Sequence, residues 1–220
     1  MVILKWISII VVVAIVLVAL VPLAVTQIEN HQAKRNKELI LQMIKPVENK
    51  QLTAVIYFSR SESTALLAHH IGKQQSARLF RLEAPDYKLG LWGWINAMLD
   101  AREHEAQISP EHIDLSAFDT IYLGSPIWLY SPAPPIWDFI ENNQFEGKKV
   151  VLFNTFNSKF EQKFIDNFKS IVMEKGAVSF EHQYIRRGRM GQQLSPEEML
   201  KAFDEAWVSK AVNTNKNYVD

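Results

Sequence analysis

Leu52 to Phe58 is a seven-residue run, apolar but for Thr53, that empties into the turn Ser59-Arg60-Ser61-Glu62-Ser63-Thr64, and a helical pattern starts directly behind it. A strand that stops in a hydroxyl-rich turn and hands over to a helix aims backbone N–H groups, hydroxyls and a positive helix end at one point. Such a point suits a phosphate. The turn carries no lysine and so lacks the Gly-x4-Gly-Lys-Ser/Thr pattern of loops that handle a nucleoside triphosphate. An uncharged hydroxyl cradle suits a phosphate monoester that is held and not transferred. The competing reading is a Ser/Thr-rich turn that only caps its helix.

Beyond that turn, strand and helix patterns alternate. Strands are expected over Leu52–Phe58, Ala77–Leu82, Thr120–Gly124, Lys149–Phe153 and Val178–Ile185, and helices over Thr64–Gln75, Pro134–Asn142, Glu161–Lys175 and Pro196–Val208. This alternation predicts parallel βαβ units. The first, third and fourth strands are nearly continuous in apolar residues, as strands covered on both faces are, whereas the second and fifth mix polar with apolar residues and read as edges. Phe160, Phe164, Phe168, Ile171 and Val172 form one helical stripe and Leu200, Phe203 and Trp207 another, both core-facing.

The expected third strand ends at Gly124 and is followed by Ser125-Pro126-Ile127-Trp128-Leu129-Tyr130 and the run Pro132-Ala133-Pro134-Pro135. Trp128 and Tyr130 sit where a flat ligand could stack. The expected fourth strand leads into Asn154-Thr155-Phe156-Asn157, the start of a loop reaching Phe160. Three loops at the carboxyl ends of parallel strands converge on one edge of a sheet. Together with Phe145-Glu146-Gly147-Lys148-Lys149-Val150, these segments resemble the flavodoxin family from about Leu52 to the last helix. The resemblance implies a three-layer α/β/α fold on a five-stranded parallel sheet of order 2-1-3-4-5, whose switch point lies between the first and third strands. It further implies FMN as cofactor. Ser59, Arg60, Ser61, Ser63 and Thr64 would meet the phosphate, Pro126, Ile127, Trp128, Leu129 and Tyr130 would cover one ring face, and Asn154, Thr155, Phe156 and Asn157 would meet the ring's polar edge.

Two residue patterns set this chain apart within that resemblance. Glu62 stands where the family's phosphate loop commonly has glycine. A carboxylate about 4 Å from a phosphate charge, at an effective dielectric near 20, costs about 4 kcal/mol, nearly three decades in affinity. A side chain turned away by more than about 8 Å is largely screened. The loop from Asn154 to Phe160 has no glycine, so its side-chain amides and Thr155 must supply polar contacts.

The chain has 220 residues, 48% of them hydrophobic, with Lys+Arg and Asp+Glu balanced at 24 each. That balance offers no basic excess to recruit nucleic acid. The absence of cysteine excludes a disulfide framework and Cys-ligated metal, so redox work here needs a bound cofactor. Ile7 to Val25 is interrupted only by Ser8 and Pro22, close to the ~20 residues needed to cross a bilayer. The expectation is therefore a transmembrane anchor over 1–26, with a cleaved signal peptide as alternative. Lys34, Arg35, Lys37 and Lys45 follow the span, which places the remaining domain in the cytoplasm by the positive-inside bias. A juxtamembrane linker or helix over 27–50, with Leu39, Ile40, Met43, Ile44 and Val47 on one face, could lie on the membrane, pack on the domain or extend the anchor. The flavodoxin-like domain is expected over 51–212 and a tail over 213–220.

Within the long connection from Glu83 to Phe118, Leu91, Trp94, Ile95, Met98, Leu99 and Arg102 share a helical face, predicting a packed helix from Gly90 to Glu103. Trp92 lies off that stripe. His69 and His70 point about 100° apart on their helix and cannot ligate one ion from one face. Arg186-Arg187-Gly188-Arg189 is either a solvated turn or an attractor for a phosphate of NAD(P)H or an anionic redox partner. The function expected from all this is a membrane-anchored FMN protein that carries electrons or reduces a quinone-like substrate. Its rival is a flavin-free, flavodoxin-fold interaction module. No G-x-S-x-G elbow and no HExxH helix points to a hydrolase.

Overall fold

The computed structural model describes residues 2–44, 51–189 and 192–216. One long helix, α1 (Val2–Met43), comes first. Strands and helices then alternate as β1 (Thr53–Phe58), α2 (Ser63–Gln74), β2 (Arg78–Leu82), a 3-10 turn at Pro85–Tyr87 and α3 (Leu91–Leu99). They continue as β3 (Thr120–Trp128), β4 (Ser131–Pro132), α4 (Pro134–Asn142), β5 (Lys149–Phe156), α5 (Gln162–Glu174), β6 (Ser179–Arg186) and α6 (Pro196–Lys216).

The sheet has six strands. Its parallel members run β2-β1-β3-β5-β6, and β4 pairs with β3 off that path. The parallel order matches the expected 2-1-3-4-5, with the mixed-polarity strands β2 and β6 at the edges. The expected five-stranded count is corrected by β4, a two-residue strand that folds back antiparallel on β3, Ile127 opposite Pro132 and Trp128 opposite Ser131. Two residues are too few to leave an alternating pattern in the sequence.

Because side chains alternate across a strand, each strand feeds both layers. Ala54, Ile56, Ile121, Leu123, Val150 and Leu152 pack with α4 and α5, where Trp137, Phe139 and Phe168 are fully buried. Val55, Tyr57, Tyr122, Val151 and Phe153 face the other way, onto Leu66, Leu67 and Ile71 of α2 and Met199 and Phe203 of α6. Gly124 is needed on this face, since a Cβ there would stand 2.2 Å from the Phe153 ring. The result is the expected three-layer α/β/α arrangement.

Strands β3 and β5 both outrun their expected ends at Gly124 and Phe153. The β3–β5 ladder continues through Pro126 opposite Thr155, and β6 holds β5 as far as Phe156 opposite Arg186. Asn154, Thr155 and Phe156 are thus strand, not loop. Cross-strand pairing supplied by neighbours far along the chain overrides the local Pro and Asn signals. Helix α3 stops at Leu99, four residues before its expected end, and Leu99 is 75% exposed, which corrects its expected place on the packed face.

The expected transmembrane anchor and single-pass localisation are corrected. The apolar amino-terminal residues form one turn-after-turn continuation with Glu29, His31, Lys34 and Arg35 in the 42-residue α1. Among the described residues, no helix is long and apolar enough to cross a membrane. The second half of α1 packs on the domain instead, burying Ala33, Asn36 and Ile40, with Ile40 in the layer that α2 also joins. The end of the expected linker, 45–50 with Pro46 and Val47, lies outside the described residues, as does the expected tail from 217 onward; residues 213–216 belong to α6.

Candidate functional site

The carboxyl ends of β1, β3 and β5 open on one cavity of about 310 Å³. Every residue expected at the site lines it except Asn154. Asn154 is fully buried behind it, donating from Nδ2 to Ser125 O (2.8 Å) and pairing through Oδ1 with His182 Nε2 (2.9 Å). It fixes β5 against β3 and β6 rather than reaching the cavity.

At the first strand end, Ser59 to Thr64 wrap the amino terminus of α2, whose first hydrogen bond runs from Leu66 N to Glu62 O (2.9 Å). No side chain caps the helix, so the N–H groups ahead of Leu66 are left toward the turn. Ser61, Ser63 and Thr64 line the cavity around them. Thr64 Oγ1 lies 2.8 Å from Thr155 Oγ1, joining the first loop to the end of β5. From outside, Asn36 of α1 donates to Ser61 O (3.2 Å) and Ser63 Oγ (3.3 Å).

Glu62 sits at the position that set this chain apart. Its φ is 61°, the left-handed region that favours glycine. Its carboxylate does not line the cavity; both oxygens accept from Arg81 on β2 at 2.8 Å. The guanidinium is held well above its ordinary range, first by that hydrogen-bonded carboxylate. The acid that could have repelled a phosphate is thus neutralised by a neighbouring strand.

The second strand end is also in unusual backbone. Leu129 (φ 38°) and Tyr130 (φ 77°) are the two central residues of the β3–β4 hairpin, where positive φ at both fits a type I′ turn normally built from Asn and Gly. Side chains replace glycine here at a cost of roughly 1–2 kcal/mol per residue, and such strain gathers at functional loops. Trp128, just before the turn, is pinned edge-on by Phe58 and Tyr87, with ring centroids 5.5 and 5.2 Å away. Lys159 Nζ stands 5.0 Å from the Tyr130 ring centroid.

Several lining residues were not anticipated. Trp94, Ala97 and Met98 of α3 form part of one wall, although Trp94 and Met98 read as core-facing. Val25 and Glu29 of α1 contribute as well, and Glu29 forms an ion pair with Arg60, whose side chain is 5% exposed. The spacing Val25, Glu29, Gln32, Asn36, Ile40 is one helical face, so the sequence did carry a signal for it. Arg187, from the arginine turn, points inward. Burial lowers its guanidinium to about 10, with Glu29 pulling back upward.

The charged residues on the cavity are Arg60, Lys159 and Arg187 against Glu29. Arg60 Nε is buried with no hydrogen-bond partner among the described residues, while its Nη2 donates to Gly90 O (3.1 Å). Hydroxyls, free helix N–H groups, an orphan guanidinium nitrogen and a cationic excess fit a phosphate-bearing group. The half-buried aromatics of the second loop fit a flat ring.

A family model described as Flavodoxin matches residues 51–186. The chain belongs to the flavodoxin family. Among solved structures it is similar to a protein from Bacteroides uniformis named a flavoprotein, at 20% identity over 71% of this chain and 99% of that one, with a TM-score of 0.52. A flavoprotein from Lactobacillus acidophilus solved in complex with FMN is 20% identical over 61% of this chain and 93% of that one, TM-score 0.49. Flavodoxin 1 from Bacillus cereus is 19% identical, covering 70% and 93%, TM-score 0.42. At these identities the likeness is one of fold. No curated protein matches the chain. For this flavodoxin-family member, the family match supports FMN as the cofactor.

Proposed function

We propose that this chain is an FMN flavoprotein that carries electrons or reduces a quinone-like substrate. The observation that carries the reading is the meeting of three strand ends on one cavity whose anion-favouring half, at the α2 amino terminus, adjoins an aromatic half at the β3–β4 hairpin. Ser59, Arg60, Ser61, Ser63 and Thr64 would hold the phosphate. Pro126 to Tyr130 would cover one ring face, and Thr155 to Asn157 would meet the polar edge. FMN, when bound, supplies the electron chemistry, and the protein supplies orientation and electrostatics. Trp128, locked between Phe58 and Tyr87, presents a fixed wall and excludes water from that side. NAD(P)H, a quinone or a redox protein are the partners that such chemistry requires. The test is reconstitution of the purified chain with FMN, followed by its visible spectrum. Bound flavin at one per chain supports the reading; its failure to bind removes it.

A flavin-free interaction module is favoured by one observation, Glu29 paired with Arg60 inside the cavity. An acid of the chain already occupies a cation that a phosphate would use. FMN binding that appears in Glu29→Gln and is absent from the parent would select this module.

A further inference from the structure

A larger cleft, of about 700 Å³, lies between α1 and the start of α6 and meets the cofactor cavity at Ser63 and Arg187. Its volume falls in the range of small-molecule sites, about 300–1,000 Å³. The charged and titratable groups facing it are His31 and Arg35 from α1, Arg187 after β6 and Glu198 from α6. Glu198 is engaged: it accepts from Ser195 N (2.8 Å), which together with the Ser195 hydroxyl keeps its carboxyl below the ordinary range. Arg35 is half exposed, with only a loose contact to Glu197 at 3.9 Å.

Arg187 is the group that asks for a partner. Its side-chain hydrogen bond among the described residues goes to an uncharged amide, Gln32 Oε1 (3.1 Å). A partly buried guanidinium whose hydrogen-bond partner is a neutral amide, with Glu29 acting on it only through space, can still take up a hydrogen-bonded anion. Ile28, Leu194 and Met199 give the same cleft an apolar wall. Cations on one side and apolar surface on the other match an anion that carries an apolar body.

We propose that this cleft binds a phosphate ester of nucleotide size, with its phosphate between Arg187 and Arg35 and its apolar portion against Ile28, Leu194 and Met199. The site adjoins the cofactor cavity, sharing Ser63 and Arg187 with it, and is wired to it further. Arg187 bonds Gln32, Gln32 Nε2 donates to Gln193 Oε1, and Gln193 Nε2 donates to Asn157 Oδ1 (2.8 Å) on the cavity's third loop. An anion that draws Arg187 away from Gln32 therefore loosens Asn157.

Equilibrium dialysis of the full chain against labelled ADP tests this without any flavin signal. The expected result is one saturable site that pyrophosphate competes for, that adenosine competes for more weakly, and that persists at saturating FMN. Arg35→Ala should weaken it at least tenfold, and Leu194→Glu should abolish it while the far-ultraviolet circular dichroism of both variants stays that of the parent. Absence of saturable binding below about 1 mM, indifference to both substitutions, or one-for-one displacement by FMN would overturn the proposal. The last outcome would leave the cofactor reading intact, and failure of FMN to bind would leave this one standing.

Discussion

Arg81 grips Glu62 with two hydrogen bonds of 2.8 Å, from Nη1 to Oε2 and from Nη2 to Oε1, and a third from Nη2 reaches Ser59 O at 3.2 Å. Glu62 is 4% exposed at its side chain and Arg81 33%. The pair thus ties the first cofactor loop to the edge strand β2. It also answers why a glycine position can hold an acid.

Glu62→Gly should therefore change FMN affinity by less than about tenfold, or 1.4 kcal/mol, since the carboxylate is already turned from the cavity. A fluorescence titration of parent and variant checks it. Binding that appears only in the variant would instead select the flavin-free reading. Arg81→Met is the harsher change. It strands a buried carboxylate and should lower the unfolding free energy from urea titration by about 3 kcal/mol, the low end for a broken buried pair because Arg81 keeps some water.

Glu29 is the acid that does face the cavity. Its pairing with Arg60 competes with any incoming phosphate. Glu29→Gln should free Arg60 and tighten FMN at least tenfold, with the gain shrinking as salt rises. Unchanged affinity would mean that Arg60 takes no part in holding the phosphate.

Thr64→Val removes one hydroxyl and its bond to Thr155 while keeping the shape of the side chain. The same hydroxyl would also donate to the FMN phosphate, and losing that bond, worth about 1 kcal/mol, predicts roughly fivefold weaker FMN binding. Riboflavin, which lacks the phosphate, should be unaffected when titrated in parallel.

His69 gives a pH dependence. Burial lowers its imidazole below the usual value, with Glu62 opposing and Arg81 reinforcing that shift, and its Nε2 meets Tyr57 Oη at 3.3 Å. The unfolded chain holds the imidazole at about 6.5. Between the lowered folded value and 6.5 the unfolded state binds more protons, so stability rises with pH across that window and is lost as pH falls through it. Urea midpoints from pH 5 to 8 should show this slope in the parent, and His69→Gln should flatten it.

Much of the architecture was written in local pattern. The apolar runs of β1, β3 and β5 and the mixed edges β2 and β6 specify a parallel sheet and its order, because burial on one face or two leaves different residues behind. The serine turn announced its place for the same reason, a strand end meeting a helix start. What stayed hidden depended on partners distant in sequence. Arg81 on another strand decides where Glu62 points, β6 decides that Thr155 is strand, and a tertiary setting forces Leu129 and Tyr130 into a turn normally signalled by Asn-Gly. The amino-terminal apolar run has the composition of a span, and composition does not say that its helix continues through charged residues onto the domain; Val25 and Glu29 on that helix close the cavity.

The central claim is a cavity that holds a flat ring by its phosphate. Titrating the flavin-free chain with FMN and, separately, with riboflavin, while following flavin fluorescence, tests it most directly. One FMN per chain, bound at least a hundredfold more tightly than riboflavin, is the predicted result, about 2.7 kcal/mol for the phosphate's contacts. Equal binding of the two flavins, or of neither, would contradict it.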